Sequence, residues 1–114
     1  VSGMLKEVYN GSAVALVPGG GTYAMEAVAR AFGRGRVLIV RNGWFSFRWT
    51  QIFEAGGFAG ETTVVMARQT GNDARAPYAP PPIDEVVAKI RETRPEAVFA
   101  PHVETSSGII LPDD

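Results

Sequence analysis

Three consecutive glycines between an apolar run and a helical pattern constrain this chain more than any other feature. Residues 14–32 read VALVPGGGTYAMEAVARAF, with the glycines at Gly19, Gly20 and Gly21 and the helical pattern starting at Thr22. A strand, a glycine turn and a helix in this order direct free backbone N–H groups at an anion, usually a phosphate. Glycine suits such a turn because it has no side chain to hold the anion away from the backbone. The pattern predicts a phosphate site or, as the simpler interpretation, a tight connection without a ligand.

Size and composition restrict the classes of function. The 114 residues suffice for one modest domain, and 46% hydrophobic and 20% charged residues are ordinary for a globular protein. Eleven basic and twelve acidic side chains give a net charge of −1, which offers no reason to expect nucleic acid or an anionic membrane. The absence of cysteine from the sequence excludes disulfides and thiolate metal sites. No apolar run approaches the roughly 18 residues of a membrane span, so we expect a cytoplasmic protein.

Strand and helix patterns alternate around the glycines. The apolar run at 12–17 predicts a short buried strand. The helix after the glycines places Met25, Val28 and Phe32 on one face. The continuous β-branched run of Arg36–Arg41 is typical of a strand that is buried on both faces of a parallel sheet.

The alternation continues to the end of the chain. Strands are predicted at 61–67 and 97–100, with a last apolar run at 109–111. Helices are predicted at 44–55 and at Ile83–Thr93. In the helix predicted at Ile83–Thr93, the buried stripe consists of Ile83, Val86, Val87 and Ile90. Strands that alternate with helices predict an α/β fold with a doubly wound, mostly parallel sheet.

Polar or glycine-bearing segments follow three of the predicted strands. They span residues 19–22, 42–46 and 102–107. In a parallel α/β sheet, ligands bind beyond the carboxyl ends of the strands. The first segment would hold a phosphate, the second brings aromatic rings, and the third brings hydroxyls and a carboxylate. We therefore expect a flat, phosphorylated ligand with polar edges.

Two cofactors meet this description. A dinucleotide is favoured by Gly19, Gly21 and Ala24, which satisfy the spacing G-x-G-x-x-G/A. The acidic partner of an NAD ribose is missing, because Arg41 and Asn42 stand at its place, whereas Arg41 suits the 2′-phosphate of NADP. Pyridoxal 5′-phosphate instead needs a phosphate cup, an aromatic face for its pyridine and hydroxyls for its ring oxygen. The pattern alone leaves both open.

Three segments, in order, resemble a known family. GGGTYAMEAVARAF, RNGWFSFRWTQIFEAGG and FAPHVETSSGIILP are similar to successive blocks of the class V aminotransferases, which are fold-type I pyridoxal-phosphate enzymes. The chain is most similar to the alanine–glyoxylate, serine–glyoxylate and 2-aminoethylphosphonate transaminase group. The resemblance assigns the phosphate cup to Gly20, Gly21 and Thr22. It assigns the ring that stacks on the pyridine to Phe45, and a hydrogen bond to the cofactor ring to Thr105.

The resemblance also implies groups that this sequence lacks. Such enzymes form a Schiff base through a lysine and hold the pyridine nitrogen with an aspartate, and in the family both follow later strands. Lys6 precedes the first predicted strand and Lys89 is expected to face solvent, so neither suits the Schiff base. We expect residues 1–114 to be part of a cofactor-binding large domain, without the catalytic lysine and the small domain, and inactive alone.

The preferred hypothesis is a transaminase. The parent protein would move an amino group from a small amino-acid or aminophosphonate donor to a keto acid such as glyoxylate or pyruvate, and would work as a homodimer. The alternatives are an NADP-binding half-domain of an oxidoreductase and a non-catalytic interaction module. No nucleic-acid or membrane partner is expected. No metal site is expected either, because His102 has only Glu104 near it, and a structural role is predicted for this histidine.

Overall fold

A computed structural model describes residues 1–112 as four helices and seven short strands. In chain order they are α1 (Ser2–Val8), α2 (Gly21–Phe32), β1 (Arg36–Arg41), α3 (Trp44–Gly56), β2 (Glu61–Met66), β3 (Arg68–Gln69), β4 (Tyr78–Ala79), α4 (Ile83–Thr93), β5 (Ala97–Phe99), β6 (Val103–Glu104) and β7 (Ile109–Ile110). The longest helix, α3, has 13 residues, and no helix of the described part is long and apolar enough to cross a membrane.

Strand β1 is the centre of a three-stranded parallel sheet with the order β2-β1-β5. Its register with β2 runs from Arg36 opposite Glu61 to Arg41 opposite Met66. Its pairing with β5 is shorter and runs from Val37 opposite Ala97 to Ile39 opposite Phe99. A central parallel strand is covered on both faces, which is why the apolar run of β1 is continuous. The α/β class and the parallel sheet are therefore confirmed over three strands.

The side chains of β1 alternate between two layers of helices. On one face, Val37 and Ile39 pack with Ala29 of α2 and with Ile52 and Phe53 of α3. On the other face, Leu38 and Val40 pack with Val65, and α4 covers them with Val86 and Ile90. Full burial of one such aliphatic side chain contributes about 2 kcal/mol to folding.

Two of the predicted helix faces are partly wrong. In α2, Met25 packs on the core, but its buried neighbour is Ala29, while Val28 and Phe32 are exposed. The face that meets the sheet is rotated by one position relative to the prediction. In α4, Ile83 is 63% exposed because it lies one turn before Val86, the first residue of α4 that packs on the sheet.

The predicted strand at 12–17 is wrong. Residues 11–20 have no regular structure, and Leu16 is 64% exposed. A strand exists only where a neighbour pairs with its backbone, and the segment pairs with neither edge of the sheet, β2 nor β5. An apolar run alone therefore does not determine a strand here.

Two small antiparallel hairpins lie outside the parallel sheet. The long segment 68–82 contains the pairs Arg68–Ala79 and Gln69–Tyr78. Strands β6 and β7 pair through Val103–Ile110 and Glu104–Ile109, and Gly108 in their turn has a φ of +70°. This β6–β7 hairpin carries Glu104 to the start of α3.

Candidate functional site

The carboxylate of Glu104 binds the N-terminus of helix α3. It accepts the backbone N–H of Phe45 at 3.1 Å and that of Ser46 at 2.7 Å. The first N–H groups of a helix have no partner within the helix and carry a partial positive charge. A negative side chain from a distant hairpin thus supplies the cap that Gly43, the residue before α3, has no side chain to provide.

Two serine hydroxyls complete the cap. Ser46 Oγ donates to Glu104 Oε2 at 2.6 Å and accepts the N–H groups of Asn42 at 2.8 Å and Gly43 at 3.0 Å. Ser106 Oγ donates to Glu104 Oε1 at 2.5 Å and accepts the N–H of Trp44 at 2.7 Å. Each hydroxyl therefore links the carboxylate to the backbone at the start of α3.

This network determines the protonation state of Glu104. The side chain is fully buried. Burial raises the pKa of its carboxyl, but the hydrogen bonds from Ser106, from Ser46 and from the backbone of Phe45 outweigh burial and lower the pKa from 4.5 to about 2. Glu104 is an anion at neutral pH, and its lone pairs are engaged by the cap. It is therefore a structural group and not a general base.

The N-terminus of α2 differs from that of α3, because no side chain caps it. Gly20 occupies the position before the helix and Gly21 is its first residue, and both are exposed. A side chain added at either glycine would meet no atom within 4 Å. The first N–H groups of α2 are thus open to an anion from outside the chain.

Arg48 links α3 to this open helix end. Its Nη1 donates to Thr22 Oγ1 at 2.8 Å, and the pair is half-buried. The hydroxyl of Thr22 accepts this bond, and its hydrogen has no acceptor within residues 1–112. The sequence interpretation missed Arg48, because an arginine on a helix flank is usually solvated. A signal was present in its position, one turn after Phe45 on the helix that follows Asn42 and Gly43.

Helix α3 contacts both of the other segments that were predicted to contribute to the site. Through Arg48 it binds Thr22, and through the N–H of Phe45 it binds Glu104, the neighbour of Thr105. The ring of Phe45 is 52% exposed, so Phe45 is not a core residue. Thr105 is exposed and makes no hydrogen bond to the other predicted site residues in the described chain. Whether all five share one ligand stays a prediction.

A cleft of about 560 Å³ lies next to the cap of α3. Its wall includes Arg41, Asn42, Trp44, Phe47, Tyr78 and Ser107. None of the residues predicted to hold the cofactor, namely Gly20, Gly21, Thr22, Phe45 and Thr105, lines it. The cleft and the open end of α2 are therefore two separate features.

The missing strand at 12–17 affects both cofactor hypotheses. The dinucleotide pattern has to follow a strand, and residues 11–20 form none. The phosphate site predicted from the strand, glycine turn and helix loses the same strand and keeps only the open end of α2. The guanidinium of Arg41 lies 5.1 Å from the centre of the Phe47 ring and binds Met66 Sδ, within the wall of the cleft. The glycines do not line that cleft, so Arg41 faces other groups than a phosphate on the glycine turn.

Other kinds of site receive no support from the described residues. Within residues 1–112, no group of three or more histidine, aspartate or glutamate side chains is arranged to hold a metal ion. His102 is exposed, and its backbone carbonyl accepts the N–H of Leu111. Lys89 pairs with Glu92 at 2.7 Å, and Lys6 is an exposed residue of α1. Within residues 1–112, neither lysine forms a hydrogen bond or an ion pair with the glycine turn.

Comparisons with known proteins add no family. The chain matches no protein-family model, and the search of curated proteins finds no significant relative.

Proposed function

We propose that this chain is the cofactor-holding part of a pyridoxal-phosphate-dependent aminotransferase. The observation that carries the proposal is the open N-terminus of α2 with Arg48 bound to Thr22 beside it. The other helix start near the predicted site, that of α3, is already neutralised by Glu104. An incoming phosphate is thus favoured at α2, where the resemblance places the phosphate cup.

The residues at this helix end fit a phosphate group. The N–H groups of Gly21 and Thr22 belong to the first turn and face no capping side chain. The Thr22 hydroxyl accepts from Arg48 and still has its hydrogen to donate to a phosphate oxygen. Arg48 adds a full positive charge, which stabilises a dianion more than neutral donors do. The exposed glycines leave room for the phosphate to approach the backbone.

The ring of the cofactor would lie against α3 and the β6–β7 hairpin. The half-exposed ring of Phe45 supports a stacking role, because its backbone is fixed by Glu104 while its side chain is not used in the core. The same carboxylate fixes the residue next to Thr105, whose exposed hydroxyl would meet the ring oxygen. Glu104 is a positioning residue in this proposal. When bound, pyridoxal phosphate supplies an electron sink for carbanion chemistry.

The remaining parts of the proposal follow from the resemblance. The parent protein would transfer an amino group from a small amino-acid or aminophosphonate donor to a keto acid, as a cytoplasmic homodimer. The helices on both faces of β1 are consistent with a doubly wound sheet that further strands would extend. The Schiff-base lysine would be contributed from outside residues 1–114, so we expect this chain to bind the cofactor without turning over substrate.

Binding of pyridoxine 5′-phosphate tests the proposal. This compound lacks the aldehyde and so cannot react with Lys6 or Lys89. We expect calorimetry with the 114-residue chain to detect pyridoxine 5′-phosphate and not pyridoxine. The variant Arg48→Gln should weaken binding by about tenfold, the effect of one charge-assisted hydrogen bond.

The control is Arg91→Gln, which makes the same change in charge on the last turn of α4. It should leave the affinity unchanged. Equal binding of the phosphorylated and unphosphorylated compounds, or equal loss in both variants, would refute a phosphate site at α2.

A further inference from the structure

We propose that the cleft beside the α3 cap is a second ligand site, for a planar ring that carries an amide-type edge. Such an edge presents a hydrogen-bond donor and an acceptor side by side, as in an aromatic carboxamide or a nucleobase. The inference does not rest on the proposed cofactor, because none of the residues assigned to that cofactor lines the cleft.

Asn42 carries the inference. The residue is 2% exposed and belongs to the wall of the cleft, directly after β1. Both Nδ2 and Oδ1 lack a hydrogen-bond partner among residues 1–112. A buried donor or acceptor that is left unpaired costs about 1–3 kcal/mol. An asparagine amide offers one donor and one acceptor in the same plane, which is the pattern that an amide edge or an adenine edge complements with two parallel bonds.

A second unpartnered group lies in the same wall. Ser107 Oγ is buried and has no hydrogen-bond partner within the described chain. Its neighbour Ser106 is occupied by the α3 cap, so the two adjacent hydroxyls have different roles. Ser107 provides a further donor or acceptor for a polar substituent on the ligand.

The rest of the wall suits a flat ring. Trp44 and Phe47 lie next to each other with their ring centres 5.9 Å apart, and Tyr78 of the β3–β4 hairpin joins them in the lining. Aromatic side chains with a few fixed polar groups are the usual composition of small-molecule pockets, and the volume of about 560 Å³ falls in their usual range. A ring with an amide edge would use both kinds of group.

The charge of the cleft selects against cations. Among residues 1–112, Arg41 is the one charged residue in its wall, and its guanidinium lies over the Phe47 ring with only the weak acceptor Met66 Sδ bonded to it. No carboxylate of the part of the chain that the structure describes lines the cleft to balance this charge. A neutral amide is therefore preferred to a cation of the same shape.

Three isosteric probes test these features. Benzamide has a donor and an acceptor on its edge, benzoate has acceptors only, and benzamidine is a cation with donors only. We expect NMR titration to give millimolar binding of benzamide and benzoate and weaker binding of benzamidine, with shifts of the Asn42 side-chain amide signals on addition of benzamide. Adenine, titrated in parallel, distinguishes a nucleobase from a simple carboxamide as the better ligand.

Asn42→Leu is the decisive variant, because it keeps the approximate shape and removes both polar atoms. It should weaken benzamide binding about tenfold while Arg41 still disfavours benzamidine, whereas Asn72→Leu, at an exposed asparagine, should leave benzamide binding unchanged. If Asn42→Leu fails to fold, Ser107→Ala serves instead and should weaken benzamide binding about fivefold. Binding that is absent for all probes, or unchanged in Asn42→Leu, would overturn the proposal.

Discussion

The carboxylate of Glu104 accepts both the backbone N–H and the hydroxyl of Ser46, at 2.7 and 2.6 Å, although the two residues are 58 positions apart. A hairpin from the end of the chain thereby caps a helix from its middle. The buried charge is stabilised by the helix dipole and by donated hydrogen bonds, so no cationic side chain is needed. This set of hydrogen bonds joins the start of α3 to the β6–β7 hairpin, the two segments that the proposed cofactor site requires.

Replacing Glu104 by glutamine should destabilise the fold by about 3 kcal/mol. Glutamine keeps the size of the side chain, but one of its two terminal atoms is an NH₂ group. This group would face the donors of Ser46 or Ser106 and leave them unpaired. Urea unfolding followed by circular dichroism measures the free energy of unfolding. Glu54→Gln, an exposed position on the same helix, should stay within about 0.5 kcal/mol of the parent.

The stability of the protein should fall at low pH through Glu104. Its pKa is lowered from 4.5 to about 2 in the folded state, so the unfolded chain binds this proton first as the pH falls. The ionised Glu104 therefore contributes about 3 kcal/mol to the free energy of unfolding above about pH 5. This contribution is lost progressively as the pH falls from about 5 to about 2. The difference in unfolding free energy between the parent and Glu104→Gln should shrink over that interval. A difference that stays constant between pH 7 and pH 2.5 would contradict a lowered pKa.

Elements with a strong local pattern could be predicted from the sequence. Strand β1 and helix α4 have the predicted bounds, Arg36–Arg41 and Ile83–Thr93. A continuous β-branched run and a helical apolar stripe with acidic residues in its first turn are local signals. The strand at 12–17 failed because a strand also depends on a pairing neighbour. No local pattern contains that information.

The candidate site was predictable only in part, for the same reason. The segments around Thr22, Phe45 and Thr105 were predicted for the site, but the bonds that connect them come from Arg48 and Glu104. Both bonds join residues far apart in sequence, and their geometry depends on the packing of α2 and of the β6–β7 hairpin against α3. A glutamate that follows a strand and is itself followed by three small hydroxyl residues is a usable signal for such a cap.

Replacing Gly43 by alanine should destabilise the fold by about 2 kcal/mol. The φ of Gly43 is 173°, an extended conformation that alanine adopts, so the expected cost is steric. A Cβ at this position would overlap Ser106 Oγ and the Glu104 side chain, the two groups that cap α3. Thermal unfolding checks the change against Gly21→Ala. That Cβ meets no atom within 4 Å, so alanine in the first turn of α2 should be neutral or stabilising by up to about 1 kcal/mol. Equal effects of the two substitutions would contradict the packing at Gly43.

Replacing Asn42 by leucine should stabilise the protein in the absence of ligand, by about 1 kcal/mol or more. The substitution removes two buried polar atoms that have no partner within residues 1–112 and replaces them with apolar atoms of similar volume. Ser46→Ala is the matched contrast, because it removes a buried hydroxyl that has partners and should destabilise by about 2 kcal/mol. Urea unfolding of both variants at pH 7 measures the two changes. A loss of stability in Asn42→Leu as large as in Ser46→Ala would mean that the asparagine stabilises the fold, and would remove the reason to assign its amide to a ligand.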